Sequence, residues 1–227
     1  MSGAAPALAP NVSGKWKRLA IRIAITAAAL IIWFFTQSLI GQRVQPGTGI
    51  GDYIHTVTAA LNNYLLIHTT LANVLLIISS AIIDLIGVFL LARWVFAGAA
   101  RPFIALVIVL GLRQVVQALV ALPAPPHEIW HYPGFPSLLV TYGVANDFFF
   151  SGHTAIAVLG AIELSRLRPR WLTAVGIAIV IFEVSTVLVL RAHYTMDVFT
   201  GAVTGLYAAY VSTRLVQLRA SPAPAHE

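Results

Sequence analysis

Long apolar runs separated by short polar breaks dominate the chain. They extend from about residue 15 to 40, 69 to 92, 102 to 122, 148 to 165, 171 to 190 and 195 to 213. A helix needs roughly 20 apolar residues to cross an ~30 Å hydrocarbon core, so the pattern predicts six spanning helices in a bundle. The first run is longer than the apolar region of a cleaved signal, about 7 to 15 residues, and reads as a retained helix. Gly41, Pro46, Gly47, Gly49 and Gly51 mark a loop after it. From Asp52 to about His68 apolar and polar residues mix as in a helix lying at the interface. Residues 1–14 are small, Pro-containing and without periodicity, and read as a disordered tail before a membrane domain over 15–214; residues 215–227 form a short second tail.

Composition agrees with that division. Hydrophobic residues make up 59% and charged residues 10%, against about 25% charged in soluble domains, which excludes a soluble globular fold. With no cysteine there is neither a disulfide framework nor a thiolate nucleophile or metal ligand. A net charge of +6 would point to nucleic acid in a soluble chain. Here its placement makes it a topology signal, and no nucleic-acid partner is expected. With the N-terminus inside, eleven of the fourteen Lys and Arg residues fall on the cytoplasmic side: Lys15, Lys17, Arg18, Arg22, Arg93, Arg101, Arg166, Arg168, Arg170, Arg214 and Arg219. Arg43 and Arg191 fall outside, and Arg113 lies within a span. The bias predicts a multi-pass protein with both termini cytoplasmic.

Two polar islands interrupt the apolar pattern. Asn146-Asp147-Phe148-Phe149-Phe150-Ser151-Gly152-His153-Thr154 opens the fourth span, and Arg191-Ala192-His193-Tyr194-Thr195-Met196-Asp197 joins the fifth to the sixth. Two spans separate them, so the chain returns to the side it left and both islands are expected at the outer face. A lone histidine at such a depth is most often an interfacial side chain bonded to a carbonyl. Two at one depth, each with a carboxylate, favour function, because ionisable groups are costly inside a membrane. His193 and Asp197 are four apart and share a face on a helix, so the carboxylate can hold one ring nitrogen protonated and leave the other as a nucleophile. Ser151 and Gly152 sit at a helix start, where unpaired N–H groups favour an anion; a plain N-cap is an equally good reading of Ser151. His153, in the first turn, is placed to protonate a departing alkoxide.

Other ionisable residues carry less. Arg113 reads either as an ion pair with Glu183 or as a phosphate or carboxylate contact in the bundle. Asp84 and Glu163 read as structural or solvated, near the inner ends. His127, Glu128 and His131 share a Pro-rich outer loop with irregular spacing, and no metal site is expected there. Trp16, Trp33, Trp94, Trp130 and Trp171 fall near span ends, as an aromatic belt would place them.

Ser151-Gly152-His153-Thr154 with His193-Tyr194-Thr195-Met196-Asp197 resembles the lipid phosphotransferases related to type-2 phosphatidic acid phosphatases, namely sphingomyelin synthases and plant phosphatidylcholine:diacylglycerol cholinephosphotransferases. Trp94, Gly98, Arg101, Arg113, Leu122 and Pro123 match the spacing of a segment in the plant enzymes, so the likeness covers roughly residues 94 to 205. It implies a six-helix membrane fold and a catalytic set on His153, His193 and Asp197. Asp147 matches an aspartate of the sphingomyelin synthases. Ala145-Asn146, Leu110 and Ala202 depart from those synthases and weigh against ceramide as acceptor. Ordinary lipid phosphatases of the superfamily carry Lys-x6-Arg-Pro. Here the nearest string, Arg93 to Arg101-Pro102, has no lysine and is expected on the face opposite the histidines.

Together these features lead to an expected enzyme that moves a phospho-head group, phosphocholine by resemblance, from a glycerophospholipid to diacylglycerol or ceramide through a phosphohistidine, without a cofactor. Asp147, Ser151, Gly152, Arg113, Arg191 and Tyr194 are its candidate substrate contacts. The rivals are a phosphatase or C-type phospholipase using the same site, and a non-enzymatic transporter or scaffold.

Overall fold

The computed structural model describes residues 50–140, 142 and 148–220, together with Trp16, Lys17, Ala20, Ala24, Ala28 and Ile31. The chain divides into two units, Met1–Thr48 and Gly49–Glu227. In the first, the six described residues are helical and exposed; the rest of the predicted first span and tail, like the tail over 221–227, lies outside the described residues.

In the second unit the described residues form seven helices and no strand: α1 (Tyr53–Val57), α2 (Ala59–Ile67), α3 (Thr69–Ala97), α4 (Ala100–Leu119), α5 (Gly152–Ser165), α6 (Trp171–Val189) and α7 (Thr195–Ala220). Three of them, α3, α4 and α6, are long and apolar enough to cross a membrane. The protein is a helical membrane protein. The interfacial helix expected over 52–68 is two short helices that meet at Thr58, whose hydroxyl donates to Ile54 O, 2.7 Å. Its apolar side is outward: Val57, Leu61 and Ile67 are exposed, while His55, Asn62 and Leu65 are buried. Asn62 faces the protein because it has backbone to satisfy there, donating to Val189 O at 2.9 Å and His127 O at 3.3 Å. The last helix continues to Ala220, six residues beyond the expected boundary at 214, and exposes Phe199, Val203, Leu206 and Tyr210 along its length.

The architecture centres on α5. At fourteen residues it is about 21 Å long, short for a span, and it starts at Gly152 rather than at the expected 148. It packs against α3, α4, α6 and α7, and a helix enclosed by others need not reach both interfaces itself. Small residues permit this enclosure. A Cβ on Gly160 would stand 2.6 Å from Ile86 of α3, one on Gly176 of α6 2.8 Å from Ala161, and one on Gly205 of α7 2.7 Å from Ala155 O. Inside a bilayer such close approach, and not water exclusion, drives helix association.

Two ends of the bundle are distinguished by polar contacts. At one, buried Glu163 accepts from Arg101, 2.9 Å, and Arg166, 2.7 Å, and Arg166 also donates to Thr213. Gly98, left-handed at φ 63°, turns the chain sharply from α3 into α4 and brings Arg101 there. The basic turns around 98 and 167 and the end of α7 therefore share one end. At the other end the long connection between α4 and α5 folds back into the bundle. Asp84, halfway along α3, holds it by accepting from Leu138 N and Leu139 N, both 2.8 Å. This is the structural role expected of Asp84. Irregular backbone needs partners for its amides, and the partly buried Asp84 supplies one.

Candidate active site

The two islands meet at the start of α5. Ser151 is its N-cap: Oγ accepts from Thr154 N at 3.3 Å and from Thr154 Oγ1 at 3.1 Å. The Ser151 N–H donates to the carbonyl of Asp197 in the first turn of α7, 3.0 Å, so one backbone bond joins the islands. The contact requires Gly201, one turn further along α7, because a Cβ there would overlap Ser151 O.

His153 and His193 line one cavity, with Gly152 and Arg113 beside them. His153 packs against Trp130 in a T-shaped arrangement, centroids 5.2 Å apart, and its Nε2 is buried with no hydrogen-bond partner among the described residues. His193 lies just before α7, its Nδ1 3.8 Å from Asp197 Oδ2. That is ion-pair range but longer than a hydrogen bond. Asp197, wholly buried, accepts instead from Tyr194 N, 2.8 Å, closing the turn that carries His193 into the helix. Arg113 donates to Phe150 O and lies over the first turn of α5, where a Gly152 Cβ would approach its Nε to 3.1 Å. Its guanidinium and the α5 amides concentrate positive potential where the histidines converge. Glu183 does not reach it: one carboxyl oxygen takes the Ser79 hydroxyl, 2.6 Å, and the other has no hydrogen-bond partner among the described residues.

Three expected substrate contacts have other positions. Ser151 is fully buried as a cap and is not part of the cavity wall. Arg191, left-handed at φ 55°, points away and donates to Pro126 O, 2.7 Å, and His55 O, 3.1 Å. Tyr194 is buried, with its hydroxyl on Pro123 O, 3.1 Å. Both side chains are committed to backbone carbonyls and turn from the cavity. Asp147 lies outside the described residues. His127, Glu128 and His131 do not converge; His131 reaches Asn73 at 2.7 Å, and among the described residues no cluster of three His, Asp or Glu side chains could hold a metal.

Residues to which the sequence assigned no part in the site complete the surroundings. Asp52 caps α1 through Ile54 N, 2.9 Å, and binds Thr195 at the start of α7 through both amide and hydroxyl. Burial raises its pKa, but these bonds outweigh burial and hold the carboxyl below its usual value. His55 Nε2 meets His193 O, 3.0 Å. Glu128 and Trp130 line the cavity itself, and burial pushes the Glu128 carboxyl up to about 7. No periodicity marks a loop residue as cavity-facing, so the only available signal was their ionisable and aromatic character within an apolar chain. The remaining wall is apolar, with Leu110, Val140 and Ile156 among its residues.

A curated relative, phosphatidylcholine:diacylglycerol cholinephosphotransferase 1 of Arabidopsis thaliana, is 25% identical over 183 residues, which are 79% of this chain and 58% of that protein. The chain thus spans less than two thirds of the length of that relative. Among solved structures, that of Aquifex aeolicus LpxE is similar at 19% identity and a TM-score of 0.49, covering 68% of this chain and 94% of that one. The AtPDCT1/2 family model matches residues 51–214, a stretch that includes both polar islands, and the chain belongs to that family.

Proposed function

We propose that the protein is a membrane phosphotransferase that moves phosphocholine from phosphatidylcholine to a lipid alcohol, diacylglycerol being favoured over ceramide. The observation that carries this reading is the convergence of His153 and His193 on one cavity beside Arg113 and the N-terminus of α5. Family membership and the printed activity of the Arabidopsis relative support the same reading.

In this mechanism Asp197 orients His193 through Nδ1, and the other ring nitrogen, Nε2, attacks phosphorus. The N–P bond forms as the P–O bond to diacylglycerol breaks, and His153 donates its proton to the departing oxygen. A second lipid alcohol then enters. His153 takes the hydroxyl proton, the alkoxide attacks phosphorus, and the N–P bond breaks to restore His193. Arg113 and the α5 amides stabilise the oxygens throughout. Closing the 3.8 Å separation of His193 and Asp197 is a small rotation of the kind that substrate binding brings about. The apolar wall favours a lipid alcohol over water as acceptor.

Purified protein given phosphatidylcholine labelled in the head group, plus diacylglycerol with distinguishable acyl chains, should move the label onto those chains. Free phosphocholine whose yield ignores added diacylglycerol or ceramide would replace this reading with a hydrolase.

The reading includes six spans, cytoplasmic termini and a site toward the non-cytoplasmic face. The chain has no cysteine, so single ones can be introduced cleanly. A cysteine at Tyr132, exposed near the site end, should react with an impermeant thiol reagent in intact cells; one at exposed Arg168 should react only after permeabilisation. The opposite pattern would invert the topology.

A further inference from the structure

Glu128 stands in the cavity wall on a segment held at three points. Arg191 donates to Pro126 O, Asn62 to His127 O, and the Ile129 N–H to Leu190 O at 2.8 Å. Ile129 is buried among Leu65, Leu76 and Leu190, which anchors the stretch between its two cavity-facing neighbours. Trp130, on the other side of Ile129, adds an aromatic wall backed by Tyr142, centroids 5.0 Å apart. Among the described residues no donor or cation meets the half-buried Glu128 carboxylate, although the same cavity holds Arg113. A carboxyl and an indole two residues apart on this anchored loop, lining the same cavity as Arg113, complement a ligand bearing both charges: an anionic group toward Arg113 and α5, and an organic cation toward Glu128 and Trp130.

We propose that Glu128, with the ring of Trp130, binds the cationic end of a zwitterionic phospho-head group and so sets the preference of this site for donors with a substituted-ammonium head. The inference rests on the function proposed above for the position of the phosphate. Burial, which pushes the Glu128 carboxyl up to about 7, agrees with it, since a cation in contact restores the charged form.

Binding and turnover separate the two ideas. Calorimetric titration of the detergent-purified full chain should give phosphocholine an affinity about tenfold above that of inorganic phosphate. Glu128→Gln should reduce that preference to about twofold or less without weakening phosphate binding, and Glu128→Asp should keep most of it. In turnover, Glu128→Gln should lose activity on phosphatidylcholine while activity on phosphatidylglycerol is kept. An unchanged phosphocholine preference in Glu128→Gln, or no preference in the wild type, overturns the cation site. So does an equal loss on both lipids with the preference intact, which would make Glu128 a proton-transfer group. A preference that Glu128→Gln abolishes, in a protein that transfers no head group, upholds the cation site and rejects the transferase reading.

Discussion

His193→Ala is expected to lower head-group transfer by about 10⁴-fold or more, the scale seen when a covalent nucleophile is removed from a preorganised site. In the proposed mechanism both half-reactions pass through a bond to this imidazole, so no alternative base can substitute for it. The fold should tolerate the change. The link from this turn to α1 is made by the His193 carbonyl, which accepts from His55 and is kept in alanine. The Tyr194 N–H bond to Asp197 is also backbone-donated and persists. Alkaline quenching of wild-type protein turning over ³²P-phosphatidylcholine should leave label on the protein, and the variant should carry none. A folded variant that keeps turnover within tenfold of wild type would remove His193 from the chemistry.

Gly201→Ala should be the most damaging single-methyl change. The added Cβ would overlap Ser151 O, with the Thr154 side chain 3.3 Å away, and both belong to the cap that starts α5. Relief requires α7 to move off α5, which lengthens the Ser151 N–H bond to Asp197 O and carries His193 away from His153. A displacement of about 1 Å at reacting groups costs on the order of 10²-fold in rate, and overpacking of this kind costs about 1–3 kcal/mol. Gly111→Ala is the control, because nothing lies within 4 Å of its Cβ. Helix propensity alone favours alanine at both sites by up to about 1 kcal/mol, so opposite outcomes at the two positions isolate the packing contact. Thermal unfolding in detergent and transfer rates should show Gly201→Ala impaired in both and Gly111→Ala in neither. Equal behaviour would mean that α7 can shift without consequence.

Legibility of the site differed between its parts. His153 and His193 could be paired before any coordinates because an even number of spans returns a chain to the side it left, and that rule needs only the apolar runs. His193 and Asp197 come within 3.8 Å, but through the turn that precedes α7 and not through a shared helix face. Arg191 and Tyr194 lie in the same island yet turn away, since a side chain's direction follows from its own φ and from whichever carbonyls lack donors nearby. Glu128 and Trp130 come from a loop some 60 residues before His193 and reach the cavity only because Arg191, Asn62 and the Leu190 carbonyl hold that loop.

What the sequence by itself determined was the solvent: apolar runs demand a bilayer, and the polar islands that interrupt them mark candidate chemistry. These depend on local composition summed along the chain, which folding does not alter. Tertiary structure alone decided which polar residues face the cavity, that α5 is enclosed by its neighbours, and that Asp84 secures a loop folded back into the bundle. The reason is that buried backbone groups must find partners at whatever position the packed helices bring near, and that position has no signature in the order of residues.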